Sequence, residues 1–195
     1  MRIGVLAIQG DVREHLQHLV QVGADAVSVR TLADLAYVEG LIIPGGESTT
    51  IGMLMQEEGL IGAILQRVTN EGFPVYGTCA GLILLAKDVI GKSPARLGLM
   101  DIVADRNAYG RQVASFEADL DIVGVEGGPF HAVFIRAPQI IAVGTNVIPL
   151  AYYRDQVVMA RQGSLLVSSF HPEMTKDTRI HHSCVDLVAR RVMTS

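Results

Sequence analysis

The sequence predicts a single α/β domain over residues 1–195, three-layered, with a mostly parallel central sheet flanked by helices. Three observations carry this. Short apolar runs alternate with helix-period segments through the first half of the chain. Glycine-bearing stretches stop several of those runs, as tight strand-to-helix turns require. A length of 195 residues, with 49% hydrophobic and 18% charged content, suits one compact core. Strand, helix, strand, helix in succession implies parallel strands joined by right-handed crossovers.

The elements follow in chain order. Residues 3–8 are a continuous apolar run ending at Gln9-Gly10, as a strand buried on both faces would be. Asp11 is placed to cap the next helix, in which Val12, Leu16, Leu19 and Val20 share a face. Residues 26–29 and 40–43 are short strands, the second stopping at Pro44-Gly45-Gly46. One helix is expected over about 48–70, then a strand over 73–77, the turn Thr78-Cys79-Ala80-Gly81, and a helix over 82–87. From about residue 97 to 169 the signals are strands and turns: 116–123, 132–135, 157–160 and 165–169, with Gly163 in the last hairpin. A final helix over about 177–192, capped by Thr175 or Asp177, packs on the sheet through Ile180, Val185, Leu187 and Val188. In such sheets ligands collect at the carboxyl ends of the strands, which makes Gln9-Gly10, Gly45-Gly46 and Cys79 neighbours on one rim.

Composition excludes several classes. The net charge of -4, with no basic stripe, offers no nucleic-acid footprint. No apolar run approaches the roughly 20 residues that cross a bilayer, so no membrane partner is expected. The apolar start is short and lacks a small-residue cleavage site. Two cysteines, Cys79 and Cys184, do not make a disulfide framework. The reading is a soluble, cytoplasmic protein, with no cofactor and no metal site.

Cys79 carries the first chemical signal. Small residues flank it in Gly77-Thr78-Cys79-Ala80-Gly81, between a buried strand and a helix. A nucleophile elbow needs this, because its backbone is strained and neighbouring side chains would clash. A helix N-terminus also favours the thiolate and supplies N–H groups for an oxyanion. The competing reading is an inert buried thiol, which Cys184 fits beside Val185. In Ser169-Phe170-His171-Pro172-Glu173, His171 is a candidate general base and Glu173 the acid that fixes its tautomer; alone, His-x-Glu is also an ordinary surface turn. The other histidines look bland: His15 and His18 solvated on the first helix, His181 and His182 on different faces of the last, His131 in a glycine-rich loop without a partner. Pro44-Gly45-Gly46-Glu47-Ser48 allows three readings: a phosphate loop lacking the Lys-Ser/Thr of a Walker motif, an oxyanion donor at Gly46 beside a substrate-holding Glu47 and Ser48, or a plain turn with Ser48 as helix cap. Arg106 and Arg136 lie beside apolar strands and could clamp a carboxylate.

Taken together, these stretches resemble the glutaminase subunit of pyridoxal 5'-phosphate synthase, within the triad (class I) glutamine amidotransferases. The resemblance runs from end to end. It rests on Ile3-Gly4-Val5-Leu6-Ala7-Ile8-Gln9-Gly10, Gly45-Gly46-Glu47-Ser48-Thr49, Gly77-Thr78-Cys79-Ala80-Gly81, Arg106-Asn107-x-Tyr109-Gly110-Arg111-Gln112, Ser115-Phe116-Glu117, Phe134-Ile135-Arg136-Ala137-Pro138 and Ser169-Phe170-His171-Pro172-Glu173. The cysteine and the His-Pro-Glu pair are common to all triad amidotransferases. The stretch from 106 to 112 speaks against other branches, such as the histidine-pathway enzyme. The resemblance implies a flavodoxin-like, class I amidotransferase fold. It also implies hydrolysis of L-glutamine to L-glutamate and ammonia, with ammonia passed to a barrel-shaped synthase subunit that builds pyridoxal phosphate (vitamin B6) from a pentose phosphate and a triose phosphate. By position, Cys79 is the nucleophile and His171 and Glu173 complete the triad. Gly46, Glu47, Ser48, Arg106, Ile135 and Arg136 hold glutamine, and the N–H groups of Gly46 and Ala80 form the oxyanion hole. Family members are nearly inactive until docked on the synthase. One departure is the glycine-rich loop Glu126-Gly127-Gly128-Pro129, which touches no motif.

Overall fold

The computed structural model describes residues 1–91, 94–106 and 115–192. The first half alternates as the apolar runs require: β1 (Arg2–Leu6), α1 (Val12–Gln21), β2 (Asp25–Val29), α2 (Leu32–Ala36), β3 (Gly40–Ile43), α3 (Ser48–Glu57), α4 (Leu60–Glu71), β4 (Val75–Thr78) and α5 (Ala80–Leu85). The second half is mainly strands: β5 (Ala86–Ile90), β6 (Met100–Asp105), β7 (Ser115–Leu120), β8 (Phe130–Ile135), β9 (Gln139–Val143), β10 (Ile148–Tyr153), β11 (Gln156–Gln162) and β12 (Leu165–Ser168). A 3-10 turn at Pro172–Met174 and α6 (Arg179–Val192) follow.

The main sheet runs β2-β1-β3-β4-β12-β11-β9-β6-β5, with β10 paired to β11. From β2 to β12 every pairing is parallel. Beyond β12 the chain turns antiparallel through β11, β9 and β6, before β5 returns parallel to β6. The hairpin β7-β8 stands apart. Alternation along each central strand divides the core between two faces. Leu41, Ile43, Val75, Leu165 and Val167 pack toward α3, α4 and α5. Ile3, Val5, Ile42, Tyr76 and Leu166 pack with residues of α1, α6 and the β7-β8 hairpin. Helices on both faces of a mostly parallel sheet are the three layers that the sequence predicts.

Several expectations need correction. The single helix over 48–70 is two, because Gly59 adopts φ 71° and redirects the chain between α3 and α4. Helical periodicity continues through such a break, so pattern alone misses it. The helix after Cys79 ends at Leu85, and residues 86 and 87 belong to β5. The face of α1 is also rotated: His15, His18 and Leu19 are buried, whereas Val20 is 62% exposed. The stripe 12, 15, 16, 19 follows i, i+3, i+4, i+7, and two histidines lie on or beside it. Asp11 stands at the start of α1 but makes no side-chain cap bond. Strand β6 alternates regularly yet is not among the expected strands. The short helix α2 and strands β9 and β10 give weaker signals. The helix has five residues held by a Thr31–Asp34 capping box, and the outer strands mix exposed and buried positions irregularly. His131 lies in β8 rather than a loop, and its ring nitrogens meet Asp119 Oδ1 at 2.9 Å and Glu117 Oε2 at 2.8 Å. At the last helix Thr175 and Asp177 both serve: Asp177 N donates to Thr175 Oγ1, and Arg179 N to Asp177 Oδ1. The Glu126–Pro129 loop wraps the Arg179 guanidinium, which donates to the carbonyls of Glu126, Gly128 and Pro129. Among the described residues no helix is long and apolar enough to cross a membrane.

Candidate active site

Cys79 joins β4 to α5 with φ 49° and ψ -100°, a strained conformation for a residue with a side chain. Its N–H donates to Ser168 O at 2.9 Å, tying the elbow to β12. The small neighbours have a steric reason. A Cβ on Gly81 would run into the Ile43 carbonyl, and one on Gly77 would meet the Gly81 backbone at 2.5 Å. The strained turn and the close approach of α5 to β3 therefore depend on the same glycines. Cys79 is 8% exposed, enough to open onto a cleft of about 500 Å³.

His171 enters the same rim from the end of β12. Its N–H donates to Val133 O, and Nδ1 lies 2.7 Å from Glu173 Oε1. Pro172 begins the 3-10 turn that brings Glu173 back toward the ring. Burial opposes a charge on His171, but hydrogen bonds with Cys79 and Glu173, and their negative charges, outweigh it and raise the imidazole to about 10. The order thiol, imidazole, carboxylate is the row that nucleophilic catalysis requires.

The opposite wall is the loop after β3. Glu47 caps α3, not Ser48: its carboxylate accepts from Thr49 N at 3.0 Å, Thr50 N at 2.7 Å and Thr50 Oγ1 at 2.9 Å. Burial would raise its pKa, yet these bonds hold the carboxyl down to about 2. Arg106, just beyond β6, donates to Glu47 Oε1 at 3.0 Å and to Thr49 Oγ1 at 3.3 Å. Arg136 follows β8 with φ 43°, a second strained backbone on the rim. Of the residues singled out in the sequence, Gly46, Glu47, Ser48, Cys79, Ala80, Arg106, Ile135, Arg136 and His171 all line the cleft. Glu173 does not; it sits behind His171, 4% exposed.

The profile of the SNO glutamine amidotransferase family matches residues 5–190. The chain belongs to this family. The amidotransferase is 54% identical over 189 residues to the pyridoxal 5'-phosphate synthase subunit PdxT of Frankia alni, covering 96% of this chain and 94% of that one. The corresponding subunit of Moorella thermoacetica is also 54% identical, over 93% of this chain and 96% of its own. A crystal structure of a glutamine amidotransferase superposes with a TM-score of 0.92 at 47% identity, covering 96% of this chain and 98% of that one. A putative GMP synthase subunit from Thermoplasma acidophilum shares the fold, with a TM-score of 0.70 at 17% identity over 100% of this chain and 98% of that one.

Within the amidotransferase, residues 107–112 of the family-like stretch lie outside the described residues. Gln9, expected on this rim, lines the cleft, and its Oε1 accepts from Glu47 N at 2.9 Å and so fixes the glycine loop. Other site neighbours escaped sequence reasoning. Asp11 Oδ2 lies 3.6 Å from His171 Nδ1. Asp11, His171 and Glu173 present ligand atoms within 4.8 Å of one another, but the shared nitrogen is already bonded to Glu173, which makes the trio an ion-pair set. His15, expected in solvent, is fully buried, with Nε2 3.3 Å from Glu173 Oε2. Only its place in the i, i+3, i+4, i+7 stripe of α1 could have indicated this.

Proposed function

We propose that the chain is the glutaminase of a pyridoxal 5'-phosphate synthase, with Cys79, His171 and Glu173 as its triad. With the thiol proton already held on His171, whose imidazole is raised to about 10, Cys79 Sγ attacks the side-chain amide carbon of L-glutamine. The C–N bond then breaks, His171 returns the proton to the departing ammonia, and water hydrolyses the resulting thioester to L-glutamate. Glu173 holds His171 in the tautomer that points Nε2 at the thiol. The N–H of Ala80, first in α5, has no partner within its helix; with the N–H of Gly46 it receives the oxyanion. Glu47, Ser48, Ile135, Arg106 and Arg136 hold the amino-acid end, the arginines facing its carboxylate.

The observation that carries this reading is the Cys79 elbow facing His171 across a cleft lined by every predicted glutamine contact. The relatives named as pyridoxal 5'-phosphate synthase subunits support that synthase as the destination of the ammonia. Its receiving partner, on this reading, is a barrel-shaped synthase subunit that combines the ammonia with a pentose phosphate and a triose phosphate. We treat residues 1–195 as one amidotransferase domain. We assign it to the cytoplasm, where the free thiols Cys79 and Cys184 stay reduced.

Glutamate release with and without the synthase subunit tests the proposal. Adding the subunit is expected to raise the rate sharply, and Cys79→Ala to abolish release while leaving binding to the subunit intact. Release at the normal rate by Cys79→Ala would sink the mechanism; no response to the synthase would sink the pathway.

A further inference from the structure

Glu173 uses one carboxylate oxygen on His171, and its other oxygen faces the protein interior. That second oxygen, Oε2, is buried without a well-aligned hydrogen-bond partner, and the nearest basic group is His15 Nε2 at 3.3 Å. His15 Nδ1 in turn lies 2.8 Å from His181 Nε2. His15 belongs to α1 and His181 to α6, and both are 0% exposed. His18 stacks on His181, centroid to centroid 4.6 Å. Two helices thus deliver a row of imidazoles to the back of the carboxylate.

The proton positions in this row follow from its surroundings. Burial and the neighbouring histidines push His15 well below its ordinary value, and burial with His18 pushes His181 down to about 3, so both rings are neutral near pH 7. Two neutral rings sharing one hydrogen bond have two arrangements. If His15 Nδ1–H donates to His181, a lone pair on His15 Nε2 faces the Glu173 oxygen, and the Thr78 hydroxyl at 3.4 Å is its donor. His181 then carries an N–H on Nδ1, which is buried without a partner. If instead His181 Nε2–H donates to His15 Nδ1, the N–H of His15 is on Nε2. It lies 3.3 Å from the orphaned Glu173 oxygen and 3.4 Å from Thr78 Oγ1, the better-aligned of the two acceptors. The second arrangement removes a lone-pair–anion repulsion and a buried unpaired donor, leaving only an unpaired acceptor on His181.

We propose that His15, held as its Nε2–H tautomer by His181, is a positioning residue that fixes the Glu173 carboxylate behind His171. Resting on the glutaminase reading above, this adds a fourth and fifth member to the row: His181, His15, Glu173, His171, Cys79. Each N–H in the buried part is directed to the Glu173 side, so turning the carboxylate away from His171 breaks the bond on Oε1 and carries Oε2 away from His15 Nε2, 3.3 Å off.

Long-range proton–nitrogen NMR on the full-length chain with ¹⁵N-labelled imidazoles reads the tautomer directly, the His15 signals being identified by their loss in His15→Gln. Protonation at Nε2 is expected; protonation at Nδ1 overturns the proposal. In the complex with the synthase subunit, His15→Leu is expected to lower kcat about 10- to 100-fold with KM changed by less than about threefold. His15→Gln, which keeps an N–H donor, should recover most of the loss, and His182→Ala, on the exposed face of α6, should change nothing. Equal losses in His15→Leu and His15→Gln, or an unchanged kcat in His15→Leu, overturn the role while the wild-type complex remains active. A wild-type complex that releases no glutamate overturns the glutaminase reading and this role with it. Should His15→Leu fail to fold, the tautomer measurement on the wild type decides.

Discussion

Gly45 shows how closely the cleft is fitted around His171. A Cβ at this position would collide with His171 Cε1, 3.1 Å from Nδ1 and 3.4 Å from Asp11 Oδ2. Gly45→Ala is therefore expected to push the imidazole off the thiol. Misplacement of about 1 Å costs on the order of 100-fold in rate, whereas overpacking costs only about 1–3 kcal/mol of stability. Steady-state glutaminase assays with the synthase present, beside urea unfolding, would separate the two. A variant that keeps full kcat/KM would show that the ring has room to move. At this scale the sequence was most informative where chemistry and sterics coincide. Cys79 was legible because its small neighbours answer a backbone need that the structure displays at Gly77 and Gly81. Glu47 was legible as a cleft residue, but its capping of α3 was not, since a glutamate before Ser-Thr-Thr leaves several cap geometries open. His15 was illegible because a histidine on a helix stripe reads equally as buried or solvated until its partner on α6 is known.

The break between α3 and α4 gives the element scale its test. Gly59 sits at φ 71° with only Leu32 Cδ1 near its Cβ position, at 3.8 Å, so a side chain there meets strain but no collision. Gly62 lies inside α4, exposed, with open space around its Cβ position. Gly59→Ala should destabilise by about 1 kcal/mol through left-handed backbone strain. Gly62→Ala should stabilise by roughly 0.5–1 kcal/mol through helix propensity. Urea midpoints of the two variants should move in opposite directions; a shared direction would mean the helix break is not set by Gly59. The same pair explains why one helix was read over 48–70. Both glycines interrupt the pattern alike in sequence, and only backbone conformation distinguishes a hinge from a tolerated interior glycine. The parallel half of the sheet was readable because β1, β3, β4 and β12 are buried on both faces and read largely as apolar runs. Strands β9 and β10 lie toward one side of the sheet and carry irregularly mixed faces, so their periodicity is weak.

Whole-molecule stability should register the buried imidazoles as an acid-sensitive lock between α1 and α6. His181 is lowered to about 3 and His15 falls well below its ordinary value, whereas both are near 6.5 in an unfolded chain. The unfolded state therefore binds more protons below pH 6.5, and stability is lost as pH falls from there toward about 3. His171 has the opposite sign: raised to about 10, its contribution is complete below pH 6.5 and declines only as pH rises toward 10. His131, raised by Asp119 and Glu117, likewise adds no slope below its ordinary value. Most carboxylates begin to protonate only nearer pH 4.5, so the window from pH 6.5 to 5 isolates the buried pair. Each imidazole kept neutral in the fold contributes a slope of about 1.4 kcal/mol per pH unit well below its unfolded pKa. Urea unfolding at pH 7, 6 and 5 should show the midpoint falling steadily, and His181→Met should flatten that fall. A midpoint that stays level to pH 5 would mean the rings take up protons within the fold. The histidine row behind Glu173 would then be charged rather than the neutral donor chain that orients the active site.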